Sequence, residues 1–271
     1  MRDQQLAKAV RQTAPLVERF AQWIRRAARL VGTAQSQLRA RDVQRKGEGD
    51  FVTAIDRRAE RLLRPALMRL WPEAGFLGEE SDPRDLDRAW LWVVDPIDGT
   101  SNFANGLPHF AISAALLHGG QPVLAAVHCF PENRLYLARY GRGTFRDGKR
   151  LRIPDGRLDD GSMFGCQWFR GQQDLDFVRR LQRRGARIRT IGSTVTQLAD
   201  VAAGRLHANI QEQGRTWDIA AAGLVVLEAG GRFTTWSGGP VFPFRRLDIG
   251  HTATVAAPPN IHRGVLRLLA R

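Results

Sequence analysis

Apolar side chains recur at helical spacing between about residues 4 and 31, at Leu6, Val10, Leu16, Val17, Phe20, Ile24, Ala28 and Val31. That repeat predicts one amphipathic helix. Residues 53–70 predict a second, ended by Trp71-Pro72, with Gly47-Glu48-Gly49-Asp50 as a loop between the two. The rhythm then changes. Ala89-Trp90-Leu91-Trp92-Val93-Val94 is an unbroken apolar run, as in a strand buried on both faces, and Leu77-Gly78-Glu79-Glu80 reads as a short strand running into a turn. Segments 110–117, 122–130 and 134–140 predict an antiparallel meander, separated by His118-Gly119-Gly120 and Pro131-Glu132-Asn133, with a further hairpin turn at 141–148.

From about Arg152 the elements alternate. Helices are predicted at 177–184, 193–203, 217–229 and 260–269, and strands at 187–191, 207–210, 232–236 and 252–256. The pattern predicts a layered α/β (α+β) architecture without an internal linker. Residues 1–150 would form an antiparallel-sheet subdomain and 151–271 an α/β subdomain, together one catalytic unit.

Composition adds limits. The chain has 271 residues with 43% hydrophobic content, and no apolar stretch approaches the roughly 20 residues a spanning helix needs. The amino-terminal residues lead into the amphipathic repeat rather than a signal-peptide core, so a cytoplasmic protein is expected. Cys129 and Cys166 lack metal-ligand spacing and are expected to be buried, reduced thiols. A net charge of +14, from 41 Lys+Arg against 27 Asp+Glu, admits a nucleic-acid-associated regulatory protein. The arginines are scattered from Arg2 to Arg271, however, as on solvated faces, and a general positive field also attracts phosphorylated metabolites.

Against that basic background Glu79, Glu80, Asp82, Asp85, Asp87, Asp95 and Asp98 cluster within 20 residues. In Asp95-Pro96-Ile97-Asp98-Gly99-Thr100 two carboxylates stand three positions apart at the end of the predicted buried strand. Hard anions and a backbone carbonyl aimed at one spot suit a hard divalent cation. The amides of Gly99 and Thr100 can face an anion, and cation plus amide cradle suggest phosphate chemistry. A third acidic segment is Thr216-Trp217-Asp218-Ile219-Ala220-Ala221, where Asp218 falls in the first turn of a predicted helix, a position equally suited to a cap. His109, His118 and His128 lie on or beside strands and are expected to be structural.

With Gly78-Glu79-Glu80, the Asp95–Thr100 motif followed by Asn102-Phe103, and Trp217-Asp218 followed by Glu228-Ala229-Gly230-Gly231, the chain resembles the inositol monophosphatase family of magnesium-dependent, lithium-sensitive sugar phosphatases. Thr53-Ala54-Ile55-Asp56 matches an upstream element of that family, Lys46 lies near its mobile-loop lysine, and Gly192-Ser193 and 201–205 match weaker patterns. The resemblance implies an α-β-α-β-α sandwich and a phosphomonoesterase using Mg²⁺, two or three ions per site. By the same resemblance Glu79, Asp95 and the Ile97 carbonyl would hold one ion, and Asp95, Asp98 and Asp218 a second. A third would use Glu79 and water. Thr100, held by Asp56, would position the attacking water with Glu79. Asp98, Gly99, Thr100, Gly192, Ser193, Gln211 and Asp218 would contact substrate, and homodimers are expected.

Two positions depart from the family. His207 stands where many members carry Asp, and Gln211 stands where members acting on inositol phosphate carry a glutamate. Inositol 1-phosphate leads as the expected substrate, followed by histidinol phosphate, then nucleotide 3′-phosphates or fructose 1,6-bisphosphate.

Overall fold

A computed structural model describes residues 2–37, 43–45, 51–130, 132–167, 172–245 and 251–269. Lys46 and the 47–50 loop lie outside the described residues. The expected first helix is two, α1 (Arg2–Gln12) and α2 (Val17–Gln35), joined by a tight turn over Ala14–Leu16. Pro15 explains the break, because it lacks an N–H and fixes its own φ. In α2 the buried residues are Phe20, Ala21, Ile24, Ala27, Ala28 and Val31, one stripe of the helical repeat.

Short strands β1 (Val43–Arg45) and β2 (Phe51–Thr53) pair antiparallel before α3 (Ala54–Leu70). Next come β3 (Gly75–Gly78), β4 (Trp90–Asp98), the one-turn helix α4 (Thr100–Ala104), β5 (Ala111–His118), β6 (Gln121–Cys129), β7 (Arg134–Arg139), β8 (Gly143–Arg146) and β9 (Lys149–Leu151). Strands β3 to β9 form one sheet in chain order, antiparallel except for β3 beside β4. The expected meander is present. Strand β4 runs four residues beyond the apolar run, through the acidic motif itself, and all nine of its residues are buried.

The second half contains β10 (Met163–Cys166), α5 (Gln172–Gln182), β11 (Arg187–Arg189), α6 (Thr194–Ala202), β12 (Ala208–Gly214), α7 (Thr216–Glu228), β13 (Arg232–Thr235), β14 (Thr252–Ala257) and α8 (Pro259–Leu269). Its strands make a mixed sheet of order β11-β10-β12-β14-β13. Strand β10 was not expected, since Met163-Phe164-Gly165-Cys166 is short and interrupted by glycine.

Three apolar clusters fix five layers. Helices α1 to α3 cover one face of the larger sheet, packing Phe20, Ile24, Leu63 and Leu67 against Trp92, Val94 and Leu124. Helices α6 and α7 fill the space between the two sheets, and α5 and α8 cover the far face of the smaller one. Helix α7 is apolar nearly all round, with every residue from Ile219 to Val226 buried, as a helix in a central layer must be. It is pinned by polar contacts from the sheet. Ser113 Oγ donates to the Trp217 carbonyl at 3.0 Å, and Thr144 Oγ1 to the Val225 carbonyl at 2.8 Å. Glu228 at its end accepts the amides of Gly141 and Gly143, both at 2.7 Å. The amino terminus of α7 is thereby held against the carboxyl end of β4. Cys129 and Cys166 are both free and buried, as expected.

Candidate active site

The strand β4, the start of α6 and the start of α7 converge on one cavity of about 190 Å³. Glu79, Asp95, Ile97, Asp98, Gly99, Thr100, Gly192, Gln211 and Asp218, all anticipated from the sequence, line it. Asp95, Asp98 and Asp218 each place a carboxylate oxygen within 4.8 Å of the other two.

In a regular strand, side chains three positions apart point to opposite faces. Here the pairing of β4 with β5 passes from Asp95 opposite Ser113 to Asp98 opposite Ala111, so β4 contains one extra residue. That bulge turns Asp98 to the side of Asp95. The Asp95 carboxylate accepts the Ile97 amide at 2.9 Å, closing a turn around Pro96. Gly99 follows at φ +88°, where a β-carbon would stand 3.0 Å from the His109 carbonyl oxygen and 3.1 Å from Ser193 Cβ. Only glycine meets both demands.

Each acid is held by its own partners. Asp98 Oδ2 accepts the Val195 amide at 2.9 Å and the Ser193 hydroxyl. Ser193 also caps α6 by accepting the Thr196 amide at 3.1 Å. Asp218 Oδ2 accepts the Arg215 amide at 2.8 Å, so this acid caps α7 while standing in the carboxylate cluster.

Like charges this close repel by about 3 kcal/mol or more per pair at a typical effective dielectric. The titration behaviour reflects it. Burial pushes Asp95 well above the usual carboxylate range, and Glu79, Asp98, Asp218 and Asp56 add to the effect. Burial lifts Asp98 to about 6 against the opposing hydrogen bonds from Ser193 and the amides of Val195, Thr194 and Thr196. Asp218 is raised by burial and then by Asp98 and Glu79, with the Arg215 amide and charge opposing. A bound cation would relieve all three at once. The donors are carboxylate oxygens with a nearby backbone carbonyl and no thiolate or imidazole among the cavity's lining residues, a set that fits Mg²⁺.

One expected substrate contact, that of Ser193, is not found at the cavity wall. The Thr100 hydroxyl donates to the Ile97 carbonyl at 2.9 Å. Asp56 is 1% exposed in the first turn of α3 and contributes to the field at Asp95. Ser193 is fully buried and does not line the cavity; its hydroxyl acts on Asp98 rather than on a substrate. His207 accepts the Met163 amide through Nδ1 at 3.1 Å and is likewise absent from the cavity wall. Glu80 lines a neighbouring cavity, and its amide donates to the buried Glu60 at 2.9 Å.

Ser101, Gln167, Thr194, Gln213, Arg215 and Trp217 complete the wall and were not anticipated as site residues. Gln211, Gln213 and Arg215 stand two apart along β12 and its exit, although the pairing of β12 with β14 shifts register between Gln211 and Gly214. The two-residue spacing is a signal in the sequence, but the irregular register is not. Gln167 follows the unanticipated β10 and had none.

Residues 12–271 match the sequence model of the inositol monophosphatase family. The chain belongs to that family. Like its relatives, it is a phosphatase, a hydrolase of phosphate esters. It is 40% identical over 203 residues to the inositol-1-monophosphatase of Rhizobium meliloti (strain 1021), covering 73% of this chain and 76% of that protein. To the fructose-1,6-bisphosphatase/inositol-1-monophosphatase of Thermotoga maritima it is 38% identical over 204 residues, covering 74% and 77%. The crystal structure of extragenic suppressor protein suhB from Bartonella henselae superposes with a TM-score of 0.85 at 30% identity, over 95% of this chain and 99% of that one. Inositol monophosphatase family members depend in general on Mg²⁺, and the acidic cluster supplies a place for it. No helix among the described residues is long and apolar enough to cross a membrane.

Proposed function

We propose that the chain hydrolyses the phosphomonoester of a small polyol or sugar, with inositol 1-phosphate as the leading substrate, at the cavity bounded by Asp95, Asp98 and Asp218. The observation that carries this reading is the meeting of those three carboxylates within 4.8 Å, in a cavity also lined by Glu79 and by Gly99 and Thr100.

Glu79, Asp95 and the Ile97 carbonyl would hold one Mg²⁺, and Asp95, Asp98 and Asp218 another. Bound there, the ions would supply Lewis acidity toward phosphate oxygens and lower the pKa of water. The protein's own residues do the rest. Gly99 and Thr100, at the end of the bulged strand, line the cavity and would offer their amides as donors to phosphate oxygens. Glu79 stands beside the cluster as acceptor for a proton of the attacking water. Thr100 Oγ1, its proton committed to the Ile97 carbonyl, keeps lone pairs with which to orient that water. Gln211 is 3% exposed, and its Oε1 is buried without a partner while the residue lines the cavity, so it offers an acceptor to a substrate hydroxyl. The burial of Asp95 and Asp98 keeps the cluster in a low dielectric, where each charge interaction is stronger.

The neutral amide at 211 leaves histidinol phosphate and nucleotide 3′-phosphates as substrates of the same reaction. Family resemblance supports a homodimer, which light scattering would check. Phosphate release measured over a panel of these esters, with and without Mg²⁺, tests the reading. Mg²⁺-dependent release with inositol 1-phosphate among the best substrates is expected. Absence of release from every ester on the panel would overturn it.

A further inference from the structure

The cavity wall carries charges of both signs. Its acids are Glu79, Asp95, Asp98 and Asp218, gathered where β4 meets α7. The β12 side carries Gln211, Gln213 and Arg215, with Gln167 and Thr194 completing it and no carboxylate among them. Arg215 is the one formal positive charge on the described wall.

Its side chain is half-buried, with the guanidinium carbon 5.5 Å from the centre of the Trp217 ring. That packing fixes the planar group against a rigid surface at the amino terminus of α7. The guanidinium takes part in no ion pair within 4.0 Å among the described residues, although four carboxylates line the same cavity. Its backbone amide, not its side chain, is what binds Asp218. A charged fork held still, partly desolvated and not paired is suited to an incoming oxyanion. Its backbone amide and charge both act on Asp218, so the guanidinium lies at the edge of the acidic cluster.

We propose that Arg215 is a specificity-determining residue that receives a second anionic group of the substrate, so that a sugar ester bearing a further phosphate is favoured over the corresponding monophosphate of the same sugar. This rests on the phosphatase reading above and narrows its substrate class. The scissile phosphate occupies the acidic end, the second phosphate the Arg215 end, and the glutamine amides span the hydroxyls between. A purely structural Arg215, tempering the acids, would instead affect all substrates alike.

The test is a kinetic comparison of fructose 1,6-bisphosphate, fructose 1-phosphate and inositol 1-phosphate in the wild type, Arg215→Gln and Arg215→Lys. The wild type is expected to prefer the bisphosphate over fructose 1-phosphate in kcat/KM. Arg215→Gln should raise KM for the bisphosphate by about 10- to 100-fold, the loss of a charge-assisted hydrogen bond, with kcat nearly constant and both monophosphates changed less than about twofold. Arg215→Lys should recover part of the loss, because it restores charge but not the fork. Equal changes on all three esters would overturn the proposal in favour of a structural role, as would turnover of inositol 1-phosphate with none of the bisphosphate. Either result leaves the phosphatase reading standing. No Mg²⁺-dependent release from any of the three would overturn both.

Discussion

Asp95 and Asp98 face the same cavity because one additional residue is inserted in β4 between the partners Ser113 and Ala111 of the neighbouring strand. The relationship converts a strand end into a two-carboxylate grip, and it depends on the backbone that follows. Gly99 at φ +88° is closed in by the His109 carbonyl and Ser193. Gly99→Ala is therefore expected to cost about 1–3 kcal/mol in stability and to lower turnover by about 100-fold or more, since the strained position must move with Asp98 attached. Thermal denaturation and phosphate release measured together check this. Unchanged turnover would mean the loop tolerates the shift.

Ser193 serves α6 and Asp98 at once. Ser193→Ala should destabilise by about 0.5–2 kcal/mol through the lost cap. It should also raise the Asp98 pKa further, because a hydrogen bond to the charged form is removed. The acid limb of the pH–rate profile should move to higher pH. A limb in the wild-type position would show that Asp98 does not govern it.

The raised carboxylates make stability pH-dependent with a definite sign. Asp98 titrates near 6 in the folded protein against about 3.9 when unfolded, so between those values the folded state binds more protons. Metal-free protein should lose stability as pH rises from about 4 through 6, and Asp95 and Asp218, also raised, act in the same direction. Buried His128 opposes this from the other side. Its pKa falls to about 4, mainly by desolvation, so it favours the folded state increasingly as pH rises from about 4 to 6.5. The discriminating quantity is the rise in Tm on adding Mg²⁺, which should be larger at pH 7.5 than at pH 5 because the ion no longer competes with protons. A rise independent of pH would contradict the assignment of these acids as ligands.

Much of this site is written in the chain itself. Asp95, Asp98 and Asp218 belong to motifs whose residue types state their chemistry, and the long apolar runs of β4 to β6 state their burial. The bulge does not show in the same way. Pro96 and Gly99 signal irregular backbone, but the register with Ser113 and Ala111 belongs to the neighbouring strand. Ser193 reads from sequence as the start of a helix and a substrate contact, yet its bond to Asp98 joins residues 95 positions apart. Glu228 reads as part of a motif, and its function of holding the turn amides of Gly141 and Gly143 appears only in three dimensions. Periodicity alone also passed over Pro15, since the apolar repeat continues in register on both sides of it.

Gln211 lines the cavity with an unpartnered, buried Oε1. Gln211→Glu should raise activity on inositol 1-phosphate relative to histidinol phosphate, because a carboxylate accepts hydrogen bonds from hydroxyls more strongly than an amide. A ratio of kcat/KM values left unchanged would remove Gln211 from substrate recognition.

The central claim is that Asp95, Asp98 and Asp218 act together as a magnesium site that makes the cavity a phosphatase. Calorimetric titration of Mg²⁺ into the wild type and Asp95→Asn, alongside circular dichroism and phosphate release, tests it most directly. Wild-type protein should bind Mg²⁺ with release of protons. The variant should keep its fold, bind the ion at least about 100-fold more weakly and lose several orders of magnitude in turnover. Wild-type affinity and turnover in folded Asp95→Asn would contradict the account.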